Sequence, residues 1–163
     1  MIVQSKFRFW AFLPAGLLLF LLGFSGVLIN EFFKESGATA VVLFSILLFL
    51  IFVCVWIVFG ELRTKIIKVS IHGEEIMVSC YLGLGAKRAY SFHQFEGMET
   101  AILTSNYNEF EYLYLISNGK KVIKLSQFYH SNYDYLKIIL AGKVRNLGQK
   151  DFSMLQEVKE IFV

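Results

Sequence analysis

Proline is nearly missing from this chain of 163 residues: Pro14 stands alone. No proline-rich linker or polyproline recognition segment can be built from it. Cysteine is almost as scarce. Cys54 falls in a long apolar run and Cys80 in a stretch of alternating residues, which excludes a disulfide framework and fits free thiols in a reducing compartment. The three histidines, His72, His93 and His130, are 21 and 37 positions apart, so no H-x-x-x-H ligand spacing exists. Each reads as a turn or surface residue, with His130 at a helix entry. Charge is sparse too: 18% of residues are Asp, Glu, Lys or Arg, and the net charge is +3, too weak a balance for a nucleic-acid partner.

Catalytic constellations are equally wanting. Gly83 and Gly85 stand in G-L-G-A-K, which lacks the spacing and the G-K-[ST] ending of a phosphate-cradling loop. The carboxylate pairs Glu74/Glu75 and Glu109/Glu111 fall at turns and strand ends, where solvated edges are the simpler reading. No Ser/His/Asp or Cys/His set has supporting context. The sequence is therefore read as a non-enzyme with no cofactor and no metal.

What the chain has in abundance is apolar length. Residues 9–29 and 38–59 contain no Asp, Glu, Lys, Arg or His. Each run is about the 20 residues that a hydrocarbon core of roughly 30 Å requires of a helix. A cleaved signal peptide would have a shorter apolar region and no second run directly after it. The linking residues 30–37, NEFFKESG, are too few to hold a domain, so the helices are expected to form an antiparallel hairpin. Lys6 and Arg8 precede it, Arg63, Lys65 and Lys68 follow it, and Lys34 alone sits in the loop. The positive-inside rule then places both termini in the cytoplasm, with Trp10 and Trp56 near the inner headgroup level. Pro14 is expected to bend the inner end of the first span. Gly16, Gly23, Ser25 and Gly26 suit a closely packed hairpin but lack the four-residue spacing of a dimerisation face. The absence of charge within either span disfavours transport.

After Arg63 the pattern changes to period two. Residues 65–71 place Ile67, Val69 and Ile71 on one face, and residues 75–82 do the same with Ile76, Val78, Cys80 and Leu82. Further strands are expected at 87–92, 98–103, 109–116 and 121–126, with Asn118-Gly119 the strongest hairpin signal, a break at 106–108 and a short extra strand near the fourth. From residue 131 the spacing becomes helical. Ser131 to Asp134 reads as a capping box, and Tyr133, Leu136, Leu140, Val144 and Leu147 share a face up to Gly148. Asp151 is expected to cap a second amphipathic helix carrying Phe152, Leu155, Val158 and Phe162.

Residues 119–126, GKKVIKLS, followed by 127–136, QFYHSNYDYL, resemble the end of bacterial PH-like domains, where a last strand enters a helix reading Asn-Tyr-Asp/Glu-x-Leu. A transmembrane hairpin ahead of such a domain is similar to small bacterial membrane proteins of unassigned function. The resemblance covers residues 1 to about 147 and implies a fold rather than an activity. The expected fold class is thus a membrane α-helical hairpin at 1–60 plus an α+β cytosolic domain. At 61–147 this domain is a PH-like antiparallel β-barrel closed by a C-terminal helix, with a short amphipathic helix at 148–163.

The candidate membrane-surface residues are Lys6, Arg8, Arg63, Lys65, Lys68, Lys87 and Arg88, near enough to the spans to meet anionic headgroups. The acidic turn around Glu74 and Glu75 opposes specific phosphoinositide recognition by a PH-like domain. Among the aromatics Phe110, Tyr112, Tyr114, Tyr129, Tyr133 and Tyr135, the candidates for protein binding are Tyr129, Tyr133 and Tyr135; aromatic residues serve cores and recognition surfaces alike. The functional expectation is a membrane-anchored interaction or scaffolding module. It would sit in the inner (plasma) membrane as a multi-pass protein, contact membrane lipids, and bind a protein partner or another copy of itself. The alternative is a sensor of the anionic membrane surface.

Overall fold

Two long helices at the start of the chain stand against a β-rich region built from the rest. The computed structural model describes residues 2–104 and 108–151. A three-residue strand, β1 (Ile2–Gln4), comes first, and the chain then passes through a 3₁₀ turn at Phe9–Phe12 into α1 (Leu13–Phe32). α2 (Gly37–Trp56) returns and ends in a π-helical turn, Ile57–Leu62. The spans Phe9–Phe32 and Gly37–Leu62 are long and apolar enough to cross a membrane. Pro14 lies in the first turn of α1, where its missing N–H forfeits no helical hydrogen bond, so it starts the helix instead of bending it.

The strands form two four-stranded sheets. In the first, β1, β2 (Lys68–His72), β3 (Glu75–Ser79) and β4 (Lys87–Ser91) pair antiparallel in that order. In the second, the order is β7 (Lys120–Ser126), β6 (Glu109–Ser117), β5 (Gly97–Thr104), β8 (Asn146–Asp151), with β8 parallel to β5. The Asn118-Gly119 turn has positive φ at both residues, the mirror-image turn that matches the twist of paired strands. α3 (Tyr133–Ala141) buries Tyr133, Leu136 and Leu140 in the main core. They meet Val69, Ile71 and Ile76 of one sheet and Met98, Leu113, Leu115, Ile123 and Leu125 of the other.

Several expectations change. The antiparallel barrel is instead a pair of separate sheets, one with a parallel edge; among the described residues no pairing closes them into a barrel. The basic lead before the hairpin is β1. Its pairing of Val3 with Ile71 builds the N-terminus into the β-rich region and puts both ends of the hairpin on one side. The strand expected over 75–82 stops at Ser79, because Tyr81 and Leu82 adopt positive φ in a tight turn, leaving Cys80 outside the strand. The helix expected to continue to Leu147 ends at Ala141, and Gly148 lies inside β8. The chain entering β8 packs closely at Gly97, where an added Cβ would meet the Arg145 carbonyl oxygen. Asp151 closes β8 and caps nothing; the second amphipathic helix and most of the 106–108 break lie outside the described residues.

The capping box is also replaced. Neither Ser131 nor Asn132 caps α3 with its side chain. The Asn132 Oδ1 accepts from the Lys6 backbone N–H at 2.7 Å, its Nδ2 donates to the Gln4 carbonyl at 2.9 Å, and Ser131 Oγ donates to the Lys6 carbonyl at 3.2 Å. The polar residues before the helix therefore hold the N-terminal arm.

Candidate functional site

The side chains that join hairpin to domain converge on Glu61. The π-helical turn at the end of α2, with the Arg63 N–H donating to the Val58 carbonyl at 3.0 Å, adds a residue to the local helical repeat. Beyond it, Lys65 Nζ donates to Glu61 Oε1 at 2.6 Å, and the Tyr129 hydroxyl donates to Oε2 at 2.7 Å. Both members of the ion pair are about four-fifths buried, with side-chain exposures of 16% for Lys65 and 20% for Glu61. Burial, with the carboxylate beside it, pushes the Tyr129 phenol well above its ordinary range, so it stays a donor.

Apolar packing surrounds this polar knot. Ala11, Ile57, Leu62, Ile66 and Tyr129 form a buried cluster, flanked by Phe7, Leu18, Val53, Tyr81, Leu82 and Phe128. Aromatic contacts run on from Phe110 through Phe128 to Trp10, with ring centroids 5.0 and 6.4 Å apart. A groove of about 760 Å³ opens here, lined by Phe9, Trp10, Phe12, Leu13, Leu17 and Phe128 among others, with Glu61 and Tyr129 at its polar end.

His130 is the second knot. It is fully buried, which corrects the reading of a turn or surface residue. Its Nδ1 lies 2.9 Å from the Ser126 carbonyl oxygen and its Nε2 lies 2.9 Å from that of Ile67. Phe7 bridges to it in backbone pairing and packs on its ring. The residue thus ties β7, the approach to β2 and the N-terminal arm. Burial holds its pKa below the ordinary 6.5, and the two carbonyls pull in the opposite direction. Because the folded pKa is the lower one, the unfolded chain takes up more protons as pH drops below about 6.5, and stability falls with it. The melting midpoint in detergent is expected to be lower at about pH 5.5 than at about pH 7.5. A His130→Gln variant should flatten that difference; an equal pH dependence in both proteins would contradict the assignment.

The expected membrane-surface residues separate into two groups. Lys6, Arg8, Arg63, Lys68, Lys87 and Arg88 are exposed, whereas Lys65 turns inward to Glu61. Lys68 and Lys87 both pair with Ser79 in register, so they share one row at the hairpin end of the first sheet. Of the three tyrosines, Tyr129 and Tyr133 are interior and Tyr135 is exposed. Tyr112 and Tyr114 are also buried, on the face of the second sheet with Ala101 and Ile116. Lys124 lies over the Tyr112 ring, 4.4 Å from its centroid.

Sequence reasoning missed Glu61. Its signal was an acid four residues before Lys65, a helical pairing distance, in a segment otherwise read for its basic residues. Among the described residues no group of three or more His, Cys, Asp or Glu could hold a metal ion. No family model, curated protein or solved structure matches the chain.

Proposed function

We propose that this chain is a membrane-anchored, non-enzymatic interaction module. It presents a PH-like domain, on the cytoplasmic side of the inner membrane, to a protein partner or a second copy of itself. Support for the anchor comes from the hairpin's outer surface, where Leu19, Phe20, Phe49, Ile51 and Phe52 are more than half exposed. A contiguous apolar surface of that kind suits lipid, not water. The Lys and Arg bias toward the ends of the hairpin supports cytoplasmic termini. Antiparallel strands followed by one core-packed helix support the PH-like reading.

The observation that carries the proposal is the clamp. β1, the Asn132 bonds and the Glu61 knot fix the domain to the foot of the hairpin, while α3 keeps Tyr135 at 45% and Ile138 at 70% exposure on its outer side. A domain held at a fixed attitude to the bilayer can offer that apolar pair to a neighbour. Photo-crosslinking residues placed at Tyr135 or Ile138 in intact membranes are expected to give discrete adducts. The same probe at Glu75, at the far end of the first sheet, should give none. Equal labelling at all three positions would reject the interaction face.

A second reading, sensing of the anionic surface, is favoured by a different observation. Leu84 is 88% exposed at the tip of a turn beside Lys68, Lys87 and Arg88. Each basic residue near an anionic surface contributes about 1 kcal/mol, so reversing all three to Glu removes at least ~3 kcal/mol of attraction. A polarity-sensitive dye on Leu84→Cys is expected to shift to the blue in anionic vesicles over zwitterionic ones, and the triple reversal should abolish the difference. No shift in the parent protein would reject this reading.

A further inference from the structure

We propose that the groove at the foot of the hairpin binds a membrane phospholipid whose headgroup carries an ammonium group. The inference is independent of the interaction face on α3, because it uses no residue of that face. Four observations carry it. The groove begins at domain residues Phe128 and Tyr129 and runs up α1 past Leu13 and Leu17, so one end is polar and the other aliphatic, the order of headgroup and acyl chain. Its volume of about 760 Å³ falls in the range of small-molecule pockets.

The third observation is charge. Among the described residues, Glu61 is the one carboxylate lining the groove, and no Lys or Arg lines it. Lys65 and Tyr129 each use one of its oxygens, and a carboxylate has further lone pairs to offer an ammonium donor. The faces of Trp10, Phe9, Phe12 and Phe128 supply the π surface that attracts a desolvated cation. The fourth is access. A Cβ added at Gly16 meets nothing within 4 Å, so the groove is open at this point of its α1 wall. An anionic headgroup would meet the Glu61 carboxylate, and the cation nearest to it, Lys65, is already ion-paired with that carboxylate at 2.6 Å and is not among the described lining residues. A lipid of the ethanolamine type places its ammonium N–H groups at Glu61 and its phosphate outward, toward the exposed Arg8 that precedes Phe9.

The test uses the full chain in detergent, in a Trp56→Phe background so that Trp10 is the sole indole. Titration with dioleoyl phosphatidylethanolamine is expected to change Trp10 emission saturably. Affinity should exceed that for dioleoyl phosphatidylglycerol by about tenfold, the scale of one cation–π or charge contact. Gly16→Leu fills the groove from an open helix face without touching the polar knot, and should weaken ethanolamine-lipid binding about tenfold or more. Glu61→Gln keeps an acceptor for Tyr129 and should bring the two lipids to within about threefold of each other. Glycerophosphoethanolamine, which has the headgroup and no chains, should fail to compete. Equal or tighter binding of phosphatidylglycerol overturns the proposal. So does unchanged binding in Gly16→Leu with a melting midpoint equal to the parent's. Full competition by the chain-free headgroup overturns the assignment to a lipid.

Discussion

Replacing His130 with alanine is expected to destabilise the protein by about 3 kcal/mol, from a buried cavity plus the loss of the ring's hydrogen bond. Three segments meet at this one ring. The Ile67 carbonyl belongs to the approach to β2, the Ser126 carbonyl ends β7, and Phe7 belongs to the arm that follows β1. A neutral imidazole donates to one carbonyl at a time. Even so, its removal leaves an enclosed space between a sheet end and a strand approach. For a domain of about 100 residues, a loss of this size lowers the melting midpoint by roughly 15 °C. His93→Ala is the control: His93 is exposed, and its change should stay within about 0.5 kcal/mol. If the two variants melt together, His130 is not the tie between these segments.

The strands that alternation predicts are those with one face in the core. β2, β3 and β5 to β7 each carry apolar residues that meet α3 or the opposite sheet, and that burial is what writes a period of two into sequence. β1 and β8 have no such imprint. Ile2–Gln4 is too short for a period to show, and every residue of Asn146–Asp151 is exposed. β8 exists because its backbone pairs in parallel with β5, and backbone pairing leaves no signature in side-chain type. The closing helix was overextended for the opposite reason. Val144 is buried and Leu147 is apolar, so their spacing imitates a helix even though the chain has already left it after Ala141.

The candidate site was less legible than the fold, because it is assembled from distant segments. Glu61 and Tyr129 are 68 positions apart, and Lys6 and Asn132 are 126 apart. Local pattern gives Ser131 the capping role, since Ser before a helix is favoured as a cap. The arm takes its hydroxyl first, at the Lys6 carbonyl, together with both ends of the Asn132 amide. Lys65 likewise reads as one more basic residue at a membrane boundary until its partner is seen four residues back, inside the same turn. The first case is a tertiary contact overriding a sound local expectation, and the second is a local pair hidden among basic residues.

Glu61→Ala is expected to lower stability by about 2 kcal/mol, an amount set by partial burial. An exposed ion pair would contribute at most about 1 kcal/mol, and breaking a fully buried one costs about 3–5 kcal/mol. Side-chain exposures of 16% and 20% place this pair between those limits and nearer the buried one. The Tyr129 hydroxyl adds its own loss, because its acceptor is gone while its ring stays packed against Phe128. Glu61→Gln keeps that acceptor and removes the charge, so about half the effect should remain. Tyr129→Phe tests the other bond alone and should cost about 1 kcal/mol. In a double-mutant cycle, Glu61→Ala and Tyr129→Phe should couple by about 1 kcal/mol, measured from denaturation in detergent. Strict additivity would mean that the two side chains do not share one bond. Coupling, with Trp10 emission moving to longer wavelength in Glu61→Ala, would show that the carboxylate holds the domain against the foot of the hairpin, since Trp10 stacks on Phe128 beside Tyr129.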